Sequence, residues 1–336
     1  MHAIIFSMLI SFLVTFFVTP KMINFLSSAG VVSLDLHKKN KPKLPSSGGI
    51  CVAFGVLSGL LSYIGIQTFV YNQQLNAIPL LAVISSVLIV AFVGFLDDIN
   101  VKRKEVKTKD GANVKVGLPQ WLKPLITLPA AIPLMVISAG ETTMAIPFLG
   151  EINFWIFYPL FLVPLGVVAA SNLVNLLGGF NGSEAGMGIV YMLSLGIYGL
   201  IHGSIGAIIF LVSFASLIGF IKYNWFPAKI LPGDSLTYLL GSLVASGVIV
   251  GNMERVGVIV LLPFIIEFFL KARAKFKASC LGKLRKDGKL DPPYGKNIYS
   301  ITHVLMNLKK MEEKEVTIWL IIIAIIFSLI PFLGIL

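Results

Sequence analysis

Long apolar stretches alternate with short polar segments along the whole chain. Each stretch is close to the length that an α-helix needs to cross a hydrocarbon core of about 30 Å. Ten such stretches can be read, near residues 3–20, 49–70, 77–96, 124–139, 153–174, 186–201, 203–221, 235–250, 256–270 and 316–335. The pattern predicts an all-α polytopic membrane protein with about ten transmembrane helices. Residues 1–336 are expected to form a single integral membrane domain.

The composition agrees with this prediction and excludes an ordinary soluble domain. Hydrophobic residues make up 56% of the chain and charged residues only 13%, and the mean hydropathy is +0.89. A soluble domain carries about twice that share of charged residues. We interpret the first stretch as a retained helix, because basic sequence follows it and no signal-peptide cleavage pattern does. The two cysteines, Cys51 and Cys280, indicate neither a disulfide framework nor a cysteine metal site.

Basic residues are distributed unevenly over the loops. All but three of the 27 Lys and Arg residues lie in loops that follow odd-numbered stretches. By the positive-inside rule those loops are cytoplasmic, which places the N- and C-termini outside. The predicted cytoplasmic loops are those near residues 27–47, 97–118, 176–185, 222–234 and 271–315. Topology and contact with anionic lipid explain the net charge of +11, so no nucleic-acid partner is expected.

The outer membrane face has fewer candidate functional residues. The segment TTMAIPF lies between glycines and is rich in β-forming residues, which predicts a small outer hairpin near 141–149. The two halves of the chain show no corresponding pair of broken helices, the pattern typical of secondary transporters. A secondary transporter is therefore a weaker alternative than an enzyme with its site on the cytoplasmic face.

Acidic residues lie at helix ends on the cytoplasmic face. Asp97 and Asp98 end the third stretch in GFLDDIN, where adjacent carboxylates face the negative end of the helix dipole and need cations nearby. Ionisable groups at membrane depth are costly, so we predict a functional role for this pair. Asp234 begins the eighth stretch in PGDSLTYLLGS, either as a helix N-cap or as a metal ligand. Hard divalent cations prefer such oxygen ligands.

The segment NLVNLLGGFNGSEAG, residues 172–186, interrupts the apolar pattern. It predicts a helix that ends at Gly178 and Gly179, followed by a new helix whose cap and first-turn acid are Ser183 and Glu184. Irregular backbone at membrane depth is tolerated only where it is buried in protein or lines a water-filled cavity. Asn172 and Asn175 lie three residues apart on one helical face, so both can point into such a cavity.

Taken together, these motifs resemble a known enzyme family. GFLDDI, NLVNLLGGFNGSEAG and PGDSLTYLLGS, in this order, are similar to motifs of the polyprenyl-phosphate N-acetylhexosamine-1-phosphate transferases. The segment LDLHKKNKPKLPSSGG also matches, so the resemblance covers nearly the whole chain. GGFNGSEAG is most similar to the form in the archaeal and eukaryotic UDP-GlcNAc:dolichyl-phosphate GlcNAc-1-phosphate transferases.

The resemblance implies a catalytic and metal-binding set. Asp97 and Asp98 would be the essential acidic pair. Asp234 and Asn175 would hold Mg²⁺, or Mn²⁺ in its place, against the nucleotide-sugar pyrophosphate. The chain departs from the family pattern at Val101, where members carry Lys or Asn, and in an inserted basic stretch over residues 101–118. The surroundings of the acidic pair are therefore not defined by the resemblance alone.

The resemblance also implies a substrate-binding set: Lys123, Asn172, Asn181, Glu184, Lys275 and Lys277. Lys123 lies in WLKP, which is similar to a phosphate-contacting segment of eukaryotic members. Asn181 would contact uracil. Lys275 and Lys277 lie in KFK, which resembles an arginine-histidine-arginine triplet that grips the pyrophosphate.

The implied reaction transfers a sugar 1-phosphate, most simply GlcNAc-1-phosphate, from a UDP-sugar to a polyprenyl phosphate in the bilayer and releases UMP. The protein would be integral to the cell membrane, or to the endoplasmic reticulum membrane in a eukaryote, with its active site on the cytoplasmic face. A homodimer is expected by analogy with the family. One alternative is a bacterial wall-type phospho-MurNAc-pentapeptide transferase. Another is a CDP-alcohol phosphatidyltransferase, whose multi-aspartate pattern this chain lacks.

Overall fold

The computed structural model describes residues 1–72, 76–99, 102–107, 113–116, 118–146 and 150–334. Most of these residues are helical. The α-helices are α1 (His2–Ser28), α2 (Gly49–Gly65), α3 (Ile78–Ile99), α4 (Lys123–Thr127), α5 (Ile132–Val136), α6 (Val163–Val174), α7 (Ser183–Ile201), α8 (Gly206–Asn224), α9 (Gly233–Gly251), α10 (Glu254–Val260), α11 (Leu262–Arg273), α12 (Ile301–Leu308) and α13 (Glu313–Leu329).

Seven helices of the described chain are long and apolar enough to cross a membrane. They are α1, α3, α7, α8, α9, α2 with a π-helical extension over Ile66–Val70, and α13 with a 3-10 turn over Ile330–Leu333. The prediction of a polytopic helical membrane protein is therefore confirmed. The other three predicted stretches are helical but are divided into shorter pieces.

Prolines account for these divisions. A proline lacks a backbone N–H and fixes its own φ, so it interrupts a regular helix. The stretch Lys123–Val136 consists of α4, a 3-10 turn over Leu128–Ala131 and α5, with Pro129 and Pro133 at the two junctions. A π-helical turn over Tyr158–Leu162 precedes α6. The last divided stretch breaks between α10 and α11 at Leu261, just before Pro263.

Helix α9 lies at the centre of the bundle and packs against α2, α3, α6 and α8. Glycines bring the backbones together at these crossings. A Cβ at Gly94 would lie 2.5 Å from Ser235 Cα, and a Cβ at Gly241 would lie 2.2 Å from the carbonyl oxygen of Ala170. Small residues allow this close packing between membrane helices. The start of α9 is thereby held against the end of α3, and its middle against α6.

Short antiparallel strands lie outside the helices. They are β1 (Val32–Leu34) with β2 (Lys43–Pro45), β3 (Lys102–Lys107) with β4 (Asn113–Val116), β5 (Thr143–Ile146) with β6 (Gly150–Asn153), and the sheet β7 (Lys283–Leu284), β8 (Lys289–Asp291) and β9 (Met311–Glu312). β5 and β6 form the hairpin that the sequence predicts near 141–149, displaced a few residues towards the C-terminus, with residues 147–149 outside the described range. The inserted basic stretch contains β3 and β4, whereas Val101 lies outside the described residues.

The five loops that are predicted to be cytoplasmic meet at one end of the bundle. Hydrogen bonds between different loops join them in four pairs: Asn181 to Asp35, Ser47 to Asp98, Asp234 to Asp98, and Cys280 to Gly178. The hairpin β5–β6 lies at the other end, where the N–H of Glu141 donates to Asn252 beyond the end of α9. Helix α1 begins and helix α13 ends at that end as well.

Candidate active site

Asp98, at the end of α3, caps the start of α9. Its Oδ1 accepts from the N–H of Asp234 at 2.8 Å, and its Oδ2 accepts from the N–H of Ser235 at 3.2 Å and from the hydroxyl of Ser47 at 2.6 Å. The first N–H groups of a helix lack intrahelical partners and carry partial positive charge. The start of α9 therefore supplies the positive environment that a carboxylate at the end of α3 requires.

Asp97 points to a different set of partners. Its Oδ2 accepts from the hydroxyl of Tyr238 at 2.9 Å and lies 3.0 Å from Lys123 Nζ, and its Oδ1 accepts from the N–H of Leu118 at 2.9 Å. The residue is 1% exposed. Lys123 Nζ also donates to Asp234 Oδ2 at 2.7 Å. One buried ammonium thus joins two carboxylates from different helices.

Asp234 is the more accessible of these two carboxylates. Its side chain is 28% exposed, whereas that of Asp97 is fully buried. The role of an N-cap, which the sequence left open for Asp234, is filled instead by Asp98. Since its side chain is not used in capping, Asp234 can present carboxylate oxygen to a ligand.

The two asparagines before the glycine turn lie close to this cluster. Asn175 Oδ1 accepts from the Thr237 hydroxyl at 2.9 Å, and the same hydroxyl lies 3.2 Å from the carbonyl oxygen of Asp234. Asn172 Nδ2 donates to the Thr127 hydroxyl at 3.1 Å. Asn175 and Asp234 are therefore held side by side through Thr237.

The glycine turn starts earlier than the sequence indicated. Helix α6 ends at Val174 with Asn175 as its C-cap, so the expected end at Gly178 and Gly179 is wrong by one helical turn. The intervening residues form a loop in which Gly179 has φ +88° and Gly182 has φ +80°. Helix α7 begins at Ser183 with Gly182 as its N-cap, so the predicted cap at Ser183 is wrong by one residue, whereas Glu184 lies in the first turn as predicted.

Glu184 supports this loop from within. Its Oε1 accepts from the N–H of Gly179 at 2.6 Å, and its Oε2 accepts from the hydroxyl of Ser183 at 2.6 Å. A Cβ at Gly178 would lie 2.4 Å from Glu184 Oε1. Because both carboxylate oxygens are bound within the loop, Glu184 holds the shape of the turn.

Asn181 is buried among charged residues from two other segments. Its N–H donates to Glu313 Oε1 at 2.8 Å, and its Nδ2 donates to Asp35 Oδ2 at 3.1 Å. Lys38 pairs with Glu313 and lies 3.6 Å from Asp35. With one Nδ2 hydrogen directed to Asp35, the amide oxygen of Asn181 can accept a hydrogen bond from a ligand.

Two cavities meet at the Lys123 cluster. A polar cavity of about 400 Å³ is lined by residues such as Asp35, Asn181, Leu231 and Cys280. A larger groove of about 1100 Å³ has mainly apolar walls from α6 and α11, including Leu173, Ile265 and Phe269. Three residues line both cavities: Lys123, Asn175 and Asp234. The cluster thus forms the boundary between a polar and an apolar compartment.

The two lysines of KFK lie on the groove. Lys275 and Lys277 are exposed and line the apolar groove together with Asn172. The residues of the same loop that line the polar cavity are Ser279, Cys280 and Leu281. The two lysines that the resemblance assigns to the pyrophosphate therefore lie on the wall of the groove, and the residues a few positions later lie on the wall of the polar cavity.

A buried histidine anchors the loop that lines the polar cavity. His303 Nε2 lies 2.9 Å from the carbonyl oxygen of Ser279, and its Nδ1 accepts from the N–H of Tyr299 at 3.2 Å. This pattern requires the neutral ring with its proton on Nε2. Burial, together with the nearby charge of Lys271, lowers the pKa of His303 to about 4.

The donor set of the cluster suits a hard cation only in part. Among the described residues, no three His, Cys, Asp or Glu side chains are grouped in a way that could hold a metal ion. Mg²⁺, however, commonly binds one or two protein oxygen ligands and takes the rest from water and substrate phosphate. The carboxylate of Asp234 and the amide oxygen of Asn175 are oxygen donors on the same cavity wall, and they fit this mode.

Several residues of the cluster were not singled out from the sequence. Tyr238 lies one helical turn after Asp234, on the same face of α9, so i to i+4 spacing could have indicated it. Glu313 is an acid at the start of an apolar helix in a basic loop, which is also a readable signal. Ser47 and Thr237 carried no signal, since hydroxyl residues are common at such positions.

Comparison with known proteins identifies the family of the chain. The family model described as glycosyl transferase family 4 matches residues 80–252, and the chain belongs to that family. A protein of Saccharolobus solfataricus is 35% identical over 98% of this chain and 95% of its own length. A second one, from Sulfolobus acidocaldarius, is 31% identical over 97% of this chain and 94% of its own.

Both archaeal proteins carry the provisional name UDP-N-acetylglucosamine–dolichyl-phosphate N-acetylglucosaminephosphotransferase. A Dictyostelium discoideum protein has this name without the qualification and is 26% identical over 95% of this chain and 85% of its own length. The similarity thus extends over nearly the full length of the chain.

Proposed function

We propose that this protein transfers N-acetylglucosamine 1-phosphate from UDP-N-acetylglucosamine to a polyprenyl phosphate of the dolichyl type and releases UMP. A polar cavity and an apolar groove meet at Lys123, Asn175 and Asp234, and this junction is the main support for the proposal. A reaction between a water-soluble nucleotide sugar and a membrane lipid requires such a junction. The names of the full-length relatives support the same pair of substrates.

The two cavities suggest how the substrates are arranged. The nucleotide sugar would occupy the polar cavity, with the amide oxygen of Asn181 available to accept a hydrogen bond from uracil. The polyprenyl chain would lie along the apolar walls of the groove, where its burial is favourable. The pyrophosphate of the nucleotide sugar would then lie at Lys123 and Asp234, where the phosphate of a lipid in the adjoining groove can approach it. In-line attack by the acceptor phosphate on the β-phosphorus breaks the bond to the UMP oxygen and forms a new phosphoanhydride.

Neutralising charge is the main function of the site, because two anions must meet. The acceptor phosphate is already largely ionised at neutral pH, since its second pKa is about 6. A strong general base is therefore unnecessary. Asp97 is fully buried against Lys123 and Tyr238, and in this proposal it positions the ammonium of Lys123. Lys123 would stabilise the charge that develops on the transferred phosphoryl group.

Asp234 and Asn175 would hold Mg²⁺, with Mn²⁺ as an alternative ion. When bound, a divalent cation of this kind supplies electrostatic stabilisation to the transferring phosphoryl group. Asp98 would act through α9, because its hydrogen bonds fix the first turn of the helix that carries Asp234.

The arrangement in the membrane is part of the same proposal. The acidic cluster and the lysine-rich loops lie at one end of the bundle, so the positive-inside rule favours a cytoplasmic active site and outward-facing termini. The three divided helical stretches would complete ten spans with the seven longer helices. A homodimer is the expected assembly by analogy with the family.

An assay with several labelled UDP-sugars tests the proposal. Purified protein in detergent is given polyprenyl phosphate and one of UDP-GlcNAc, UDP-GalNAc or UDP-MurNAc-pentapeptide, each labelled in the sugar. We expect label to enter the lipid fraction only with UDP-GlcNAc. Labelling with UDP-MurNAc-pentapeptide would identify a wall-type enzyme instead. Binding of the nucleotide sugar, followed by its transport into liposomes without lipid labelling, would support the transporter.

A further inference from the structure

A buried lysine lies on the wall of the apolar groove. Lys271, near the end of α11, is 6% exposed, whereas Lys275 and Lys277 on the same groove are exposed. Much of the remaining wall is apolar, with Leu173 of α6 and Ile265 and Phe269 of α11 among its side chains. A buried ammonium is costly unless it is paired and hydrogen-bonded, so its surroundings indicate what it binds.

Glu267, one turn before Lys271 on α11, attracts the ammonium of Lys271 but does not accept a hydrogen bond from it. Glu267 is fully buried, and its Oε2 accepts from the N–H of Ile301 at 2.8 Å. Its Oε1 lies 3.7 Å from Lys271 Nζ and has no hydrogen-bond partner within the described part of the chain. A distance of 3.7 Å allows charge attraction but is too long for a hydrogen bond.

The ammonium of Lys271 therefore has N–H donors that are not used within the described part of the chain. An ammonium carries three N–H donors, and the described residues provide no hydrogen-bond acceptor for those of Lys271. Lys123, by comparison, donates to Asp234 at 2.7 Å and lies 3.0 Å from Asp97. Of the two buried lysines on the groove, Lys123 is engaged by two carboxylates and Lys271 is available to an added anion.

We propose that Lys271 binds the phosphate of the polyprenyl phosphate acceptor and that Glu267 is its positioning residue. This inference rests on the proposed function, because it assigns the apolar groove to the acceptor. An anionic head on an apolar chain is the ligand that matches a buried, unsatisfied ammonium in an apolar wall. Glu267 fixes the ammonium at the wall by its charge, and it ties α11 to the start of α12 through Ile301.

The kinetic test separates the two substrates. Lys271→Met keeps the aliphatic length of the side chain and removes its charge. We expect the KM for polyprenyl phosphate to rise at least tenfold and the KM for UDP-GlcNAc to change less than twofold. Lys271→Arg should recover most of the loss, because guanidinium also binds phosphate. Lys286→Met is the matched control, because it removes an exposed lysine between β7 and β8 that lines neither cavity, and it should leave both KM values unchanged.

Glu267→Gln tests the positioning role. A glutamine can still accept from the N–H of Ile301 but no longer attracts the ammonium. We expect the KM for polyprenyl phosphate to rise less than in Lys271→Met and the KM for UDP-GlcNAc to stay unchanged. The thermal stability should not fall enough to explain the rise in KM. An equal change in both KM values, or a change in neither for Lys271→Met, would overturn the assignment.

A binding measurement keeps this inference separate from the proposed reaction. Wild type and the Lys271 variants are titrated with radiolabelled farnesyl phosphate, and farnesol serves as the uncharged probe. We expect tighter binding of the phosphate than of the alcohol in wild type and in Lys271→Arg, and no preference in Lys271→Met. If transfer fails while this preference is present, the reaction is wrong and the phosphate site stands. If Lys271→Met does not fold, equal binding of both probes by Lys271→Arg and wild type would overturn the site.

Discussion

Asp98 accepts a hydrogen bond from the backbone N–H of Asp234 at 2.8 Å, across 136 residues of sequence. The carboxylate at the end of one membrane helix thus caps the start of another, and the capped helix carries the accessible acid of the cluster. The three aspartates therefore have different roles, since Asp97 holds Lys123, Asp98 holds α9, and Asp234 faces the cavities.

Asparagine substitutions should separate these roles. Asp98→Asn weakens the cap of α9, so we expect a stability loss of about 1–2 kcal/mol together with reduced activity. Asp234→Asn keeps a hydrogen-bond acceptor for Lys123 and leaves the cap intact, so activity should fall at least about 100-fold with little loss of stability. Thermal unfolding and initial rates of the two purified variants provide the comparison. The reverse pattern would contradict this division of roles.

Gly233 makes the contact between Asp98 and α9 possible. It has φ +71°, and a Cβ at this position would lie 2.3 Å from Asp98 Oδ2. Gly233→Ala should therefore displace the Asp98 carboxylate and abolish most activity. Gly203→Ala is the matched control, because Gly203 has φ +65° but no atom within 4 Å of the added Cβ. Both variants carry a similar backbone strain, so equal activities would show that the contact is unimportant.

Removing Lys123 should affect stability and activity separately. Lys123→Met leaves Asp97 buried without its cation, which typically costs about 3–5 kcal/mol, and removes the charge that we assign to phosphoryl transfer. Adding Asp97→Asn should recover much of the stability, since the amide oxygen can still accept from Tyr238. Activity should stay at least about 100-fold below wild type in the double variant. Recovery of activity along with stability would show that Lys123 is only structural.

Acid should loosen the loop that lines the polar cavity. The pKa of His303 is lowered to about 4 in the folded protein from an ordinary value of 6.5, so the unfolded chain takes up the proton first. The stabilisation is complete above pH 6.5 and is lost as the pH falls towards 4. Hydrogen exchange of residues 279–303 between about pH 7 and pH 4 measures it. His303→Gln should flatten this dependence, and a pH profile unchanged by that substitution would show that another group is responsible.

The sequence predicted the helical membrane architecture because apolar length and the distribution of lysines are properties of single segments. The sequence did not assign different roles to Asp97 and Asp98. Adjacent residues on a helix point about 100° apart. That rotation directs one carboxylate towards Lys123 and the other towards α9. The partners themselves come from distant segments and were not readable from local pattern.

The internal divisions of three apolar stretches could have been predicted in part. Pro129, Pro133 and Pro263 each mark an interruption, and proline is readable from sequence. The end of α6 at Val174 was less readable, since the glycines four and five residues later are the stronger local signal. The unsatisfied ammonium of Lys271 depends on how α11 and α12 pack, and no sequence pattern reports that.

The nucleotide that is released shows whether the protein transfers a sugar phosphate or only the sugar. Purified protein is incubated with Mg²⁺, polyprenyl phosphate and UDP-GlcNAc labelled at its β-phosphorus, and the lipid and aqueous products are separated. We expect the label to enter the lipid fraction in a GlcNAc diphosphate and unlabelled UMP to appear in equal amount. Release of labelled UDP, with GlcNAc alone on the lipid, would contradict this expectation, because the junction would then transfer a sugar and not a sugar phosphate.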